Sequence, residues 1–194
     1  MKKSFAYAVA AALIVAFAAC KPGKTQGQGS KPGTTATAPQ DTANNDNEPV
    51  ISFTMADING NDVSVTDEFA KHKITVVDFW ASWCGPCRQE MPSLVKTYNE
   101  YKDKGLGIVG VSLDEDKEQW SNAVSTMGMT WTQLSDLQGW QNSAAQMYGI
   151  QAIPFTIIVD SKGKVLTAGL RGEELRAFVA QELCLLYTSD AADE

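Results

Sequence analysis

The stretch from Ile74 to Pro92 constrains this chain more than any other. Ile74-Thr75-Val76-Val77-Asp78-Phe79-Trp80 is an apolar, β-branched run of the length of a buried strand. It breaks at Cys84-Gly85-Pro86-Cys87, after which Met91, Leu94, Val95 and Tyr98 recur at helical spacing. Both cysteines therefore fall at a strand-to-helix junction, in the first turn of the helix. Free amides and the helix dipole at that end favour an anion, so the Cys84 thiol should ionise more easily than usual. Two thiols three residues apart on one turn can close a small, reversible disulfide. The pattern predicts a redox dithiol. A Cys-x-x-Cys can also be half of a zinc site, but zinc wants four ligands. The sequence offers no second pair and one histidine, His72.

Trp83-Cys84-Gly85-Pro86-Cys87, preceded by Val77-Asp78-Phe79-Trp80-Ala81, resembles the active-site signature of the thioredoxin superfamily. Arg88, Glu90 and Pro92 extend that likeness toward the membrane-anchored TlpA/ResA-type thiol-disulfide oxidoreductases of bacterial envelopes. The resemblance spans roughly Pro49 to Leu183. It implies an α/β thioredoxin fold, a central mixed β-sheet flanked by helices, with an N-terminal β-hairpin and a central insertion. Cys84 is the expected nucleophile and the more exposed sulfur, and Cys87 resolves the mixed disulfide it forms.

Three further residues enter from the resemblance. Pro154, in Gly149-Ile150-Gln151-Ala152-Ile153-Pro154-Phe155, resembles the cis-proline that faces the dithiol, where the Ile153 backbone would pair with an extended substrate. Asp78 interrupts a strand that should be buried, where a carboxylate is costly and tends to stay protonated; the resemblance makes it the proton acceptor behind Cys87. Glu90 lies one turn after Cys87, lining an active-site cavity in the family reading or serving as a solvated helix acid in the plainer one. Trp83, Gly85 and Pro86 are expected to contact substrate. Trp80 and Trp83 are expected to shield the dithiol, although Trp80 could equally be core.

The remaining sequence sets the boundaries. Residues 1–19 carry Lys2, Lys3 and an apolar stretch, too short for a ~20-residue membrane span but suited to export. Ala18-Ala19-Cys20 resembles a lipobox in which Cys20 becomes the lipidated N-terminus; Phe17 stands where leucine is more usual, and plain signal cleavage is the alternative. Residues 20–48 are polar, Gly-, Thr-, Asn- and Pro-containing, and read as a flexible tether. Residues 49–183 are the thioredoxin-like domain. Within it the sequence predicts strands at Ile51–Met55 and Val63–Val65 around an Asn59–Asp62 turn, a helix to about Lys104, and a strand at Leu106–Leu113. Helices follow at Asp116–Met127 and Trp140–Tyr148, then strands at Phe155–Asp160 and Val165–Ala168 and a last helix around Leu175, Phe178 and Val179. Cys184 to Glu194 resembles one reading frame of a common sequencing adapter and is expected to be a non-biological tail.

A net charge of −7 disfavours nucleic acid and anionic membrane surfaces as electrostatic partners. The expectation is an envelope-facing disulfide reductase, monomeric, with no cofactor beyond the Cys84–Cys87 dithiol. Its implied partners are disulfide-bearing exported proteins such as oxidised apocytochrome c, a membrane electron donor of the thiol-reducing type, and the membrane through the lipid anchor. A thiol peroxidase would need a Pro-x-x-x-(Thr/Ser)-x-x-Cys setting, and a copper chaperone a further histidine or methionine ligand. Neither is evident.

Overall fold

The computed structural model describes residues 49–190, so the export signal, Cys20, the whole tether to residue 48 and the last four residues lie outside the described residues. A five-stranded sheet forms the centre. Its first strand to be read in the sequence, Ile74–Trp80 (β3), is buried at all seven positions. Such continuous burial suits a central strand covered on both faces, and explains why its sequence does not alternate. Leu106–Ser112 (β4) lies parallel to it through seven registered pairs, and Phe155–Asp160 (β6) antiparallel on the other side through six. Thr132–Leu134 (β5) and Val165–Ala168 (β7) complete the order β5-β4-β3-β6-β7. This is the mixed thioredoxin-type sheet expected.

The N-terminal hairpin is present as Thr54–Ala56 (β1) and Asp62–Ser64 (β2), shorter than predicted. Val65 does not continue the second strand. It opens a five-residue helix, Val65–Phe69 (α1), whose Val65 and Phe69 are buried. The segment also ties both edges of the main sheet. Ile51 N–H bonds the Gly163 carbonyl beside β7, and Ser135 N–H bonds the Ala56 carbonyl beside β5. Covering both edges limits unwanted strand pairing.

Gly85–Tyr101 (α2) follows β3 and passes through Pro92 without ending; a 3₁₀ turn, Lys102–Lys104, completes the helical stretch expected up to Lys104. Lys117–Thr126 (α3) buries Trp120. The predicted helix at Trp140–Tyr148 is instead a 3₁₀ turn, Gly139–Gln141, and a separate helix, Ser143–Met147 (α4). The break falls at Asn142, whose backbone leaves the helical region (φ −49°, ψ 126°) and whose side chain caps α4 by accepting from Ala145 N–H at 3.0 Å. The last helix, Gly172–Asp190 (α5), runs beyond the 183/184 boundary drawn from the sequence, and Leu186 packs half-buried against the core. Arg176 on α5 grips Glu100 on α2 through two hydrogen bonds of 2.9 and 3.0 Å. Among the described residues no helix is long and apolar enough to cross a membrane.

Candidate active site

The strand β3 ends at Trp80, and three residues later the chain turns into α2. Cys84 is the N-cap of that helix, with extended backbone (φ −80°, ψ 105°), and its Sγ accepts the Cys87 N–H at 3.2 Å. That amide is one of the donors a helix start leaves without an intrahelical partner. Gly85 and Pro86 fill the first helical positions, where proline loses nothing because its missing N–H would be unpaired anyway. The two sulfurs are joined in a disulfide. Cys84 keeps 5% of its surface and Cys87 only 1%, so their order of exposure is the expected one, although both are buried.

Across the groove, Ile153–Pro154 is a cis peptide, and the Ile153 carbonyl oxygen lies 3.8 Å from Cys84 Sγ. Residues 69 places apart in the sequence are thus brought together by the sheet, since Pro154 leads directly into β6, the neighbour of β3. Gly85 and Pro86 are exposed beside the dithiol, and Ile153 and Pro154 are half-buried.

Behind Cys87 lies a narrow cavity of about 10 Å³, roughly the room one water needs. Cys87, Asp78, Glu90, Pro154 and Thr156 are among its walls. Asp78 is central in the sheet, opposite Gly110 on β4 and Thr156 on β6, and 3% exposed. Burial, and after it the Glu90 charge, push its carboxyl up to about 7. Glu90 reaches the same cavity from α2 and accepts the Gly172 N–H at 2.8 Å, which places a carboxylate on the first amide of α5. It is half-buried and engaged, which the picture of a solvated helix acid did not anticipate.

Two parts of the site were not foreseen. Asp114, buried just beyond β4, accepts from Ser82 N–H at 3.0 Å, Ser82 Oγ at 2.5 Å and Ser112 Oγ at 2.6 Å. It therefore pins the turn that delivers Trp83 and Cys84. Its signal was a polar Ser-x-Asp at the C-terminal end of a buried parallel strand, the end where α/β sheets carry their sites. The second is Trp140, whose ring lies 6.4 Å from that of Trp83. Trp80, by contrast, is fully buried and donates its indole N–H to Gln133 Oε1 at 3.1 Å, a core residue of the strand end.

A dithiol at a helix start, facing a cis-proline loop and backed by two carboxylates, is an arrangement for disulfide exchange. The sequence matches the redoxin family over residues 41–180. The chain belongs to the redoxin family. Among the relatives of this redoxin, thiol-disulfide oxidoreductase ResA of Bacillus thuringiensis subsp. konkukian is 29% identical over 125 residues, covering 64% of this chain and 69% of that one. The thiol:disulfide interchange protein HelX of Rhodobacter capsulatus is 37% identical over 95 residues, 49% of this chain and 51% of HelX. The thioredoxin domain of a thiol-disulfide oxidoreductase from Bacteroides vulgatus superposes with a TM-score of 0.64 at 37% identity, over 70% of this chain and 96% of that domain. This redoxin is a thiol-disulfide oxidoreductase of the TlpA/ResA type.

Proposed function

We propose that this redoxin is a disulfide reductase of the bacterial envelope, tethered through Cys20 and facing the periplasm, acting on exported proteins with oxidised cysteine pairs such as apocytochrome c. The observation that carries the reading is the small, narrow cavity joining Cys87 to Asp78 and Glu90. A sulfur that must lose its proton has a buried carboxylate, held near neutrality, against the same space.

The cycle balances as follows. The Cys84 thiolate attacks one sulfur of the substrate disulfide, forming a Cys84–substrate bond and expelling a substrate thiolate. The Cys87 thiol then gives its proton to the Asp78 carboxylate, and its thiolate attacks Cys84 Sγ. The Cys84–Cys87 disulfide forms and the second substrate thiolate leaves, so two electrons pass from the dithiol to the substrate. A membrane dithiol donor returns those electrons by the same exchange in reverse.

The direction of flow follows from charge. The helix start favours the Cys84 thiolate, but Asp78 and Glu90 bring negative charge to the same site and no histidine stands between the cysteines. The thiolate is then only moderately favoured, and the disulfide stays comparatively stable. The reduction potential is expected near that of thioredoxin, about −270 mV. Equilibration in dithiothreitol or glutathione redox buffers measures it. A value above roughly −180 mV, the isomerase range, would make the protein an oxidant or isomerase and overturn the reading.

The tether rests on the apolar run that ends at Cys20. Several acyl chains on one residue anchor firmly, where a single chain binds only marginally. Cys20→Ser is expected to move the protein from the membrane to the soluble fraction and to remove the acyl mass from its N-terminal peptide. A wild-type protein beginning at Ala19 without modification would refute the anchor.

A further inference from the structure

Beside the dithiol stand two large aromatic side chains that the domain itself does not cover. Trp83 is 52% exposed and Trp140 41% exposed even after their mutual contact, with rings tilted by 54°. Trp83 is the residue before Cys84. Trp140 comes from the central insertion, distant in sequence, and nothing in the exchange cycle above requires it.

Its loop is built to hold it there. The Trp140 carbonyl accepts Gln146 Nε2 at 2.7 Å from α4. The preceding Asp136 accepts from Asn142 Nδ2 at 2.9 Å and Ser143 N–H at 2.8 Å, and Asn142 is fully buried. Two residues of the turn lie in the left-handed region, Leu137 at φ 57° and Gly139 at φ 55°. A leucine there is unusual, and such backbone outliers concentrate at functional loops. At Gly139 the positive φ disfavours a side chain, and a Cβ would also force the Glu115 carboxylate, 2.4 Å away, to move. The loop is fixed, yet the ring it presents is left in water.

The chemistry of the site says what comes to that ring. In the mixed disulfide a substrate cysteine is bonded to Cys84 Sγ, and its chain neighbours follow at about 3.8 Å per residue. They must pass beside Trp83, and so within reach of the ring 6.4 Å from it. Resting on the reading of the site as a reductase of protein disulfides, we propose that Trp83 and Trp140 form an aromatic wall of the substrate groove. It selects target cysteines flanked by a bulky apolar side chain, aromatic ones best. A third ring can pack edge-to-face on a tilted pair, and a preformed wall gains that contact without first ordering a loop.

The test uses two synthetic peptides, each with one intramolecular disulfide, that differ only in carrying Phe or Ser next to the attacked cysteine. Single-turnover reduction by the full, pre-reduced chain gives a rate for each. Wild type is expected to prefer the Phe peptide by about tenfold, the value of one good aromatic contact. Trp140→Ala should bring that ratio close to one, and Trp140→Phe should keep most of it. A merely structural tryptophan would lower both rates together and leave the ratio intact, which overturns the proposal, as does a wild-type ratio near one. Failure of wild type to reduce either peptide would instead take down the reductase reading, and the groove proposal with it.

Discussion

Asp78→Asn is expected to make the oxidised domain more stable in mild alkali and, in the same protein, to slow disulfide reduction by about a hundredfold. The stability half follows from the carboxyl held at about 7 in the fold against 3.8 in an open chain. Between about pH 4 and pH 7 the native state keeps a proton that the unfolded state has released, so native stability falls as pH rises through that window. Above it the full penalty applies, three units or roughly 4 kcal/mol. Asparagine never titrates and escapes the penalty, although a buried amide without ideal partners costs about 1–3 kcal/mol in return. The net gain at pH 8 is therefore about 2 kcal/mol, and it should vanish or reverse near pH 4. Urea unfolding of both oxidised proteins at the two pH values reads the difference. The kinetic half follows from the loss of the group proposed to take the Cys87 proton, an effect of about 10²–10⁴ for a positioned base. A stability difference that does not change with pH, or an unchanged rate, would reduce Asp78 to a packing residue.

The two halves together explain why so costly a residue sits in the centre of the sheet. All seven positions of β3 are buried, and the other six are apolar or, at Thr75, hydroxyl-bearing. A charge there opposes folding, and the proton transfer proposed from Cys87 gives it a use.

That reasoning also shows what was legible in advance. Asp78 stood out because it broke an otherwise continuous apolar run, a contrast visible in one dimension. The dithiol, its helix and the strand pair β3–β4 were equally local, each carried by contiguous residues with a clear period. Pro154 became legible only through likeness to a known pattern, since nothing in its own neighbourhood points at a cysteine seventy residues earlier. The losses have physical causes. A five-residue helix such as α1 completes little more than one turn and shows no period, so Val65 looked like the end of a strand. The three residues of β5 are too few to alternate. Trp140 looked like the start of a helix because its pattern with the residues of α4 is helical; the interruption comes from Asn142, whose side chain replaces the backbone bond there. Its nearness to Trp83 is a matter of tertiary packing alone.

Cys87→Ser is expected to accumulate mixed disulfides with substrate in nearly stoichiometric amount, whereas Cys84→Ser traps none. The asymmetry is positional. Cys84 caps the helix, where the dipole and the Cys87 amide stabilise a thiolate, and its sulfur faces the Ile153 carbonyl across the open groove. Cys87 sits one turn inside, 1% exposed, with its sulfur against a cavity too small for any peptide. Substrate reaches the first sulfur and not the second. With Cys87 gone, attack proceeds and nothing displaces the substrate; with Cys84 gone, the remaining thiol has no approach to a protein disulfide and no helix start to ionise it. Cys184 is a free, exposed thiol and could capture substrate on its own account. Both variants therefore belong in a Cys184→Ser background, compared on non-reducing gels with mass spectrometry of the linked peptides. Equal trapping by the two variants would refute the division of labour, because it would require Cys87 to be reachable where its burial and the narrowness of the cavity say it is not.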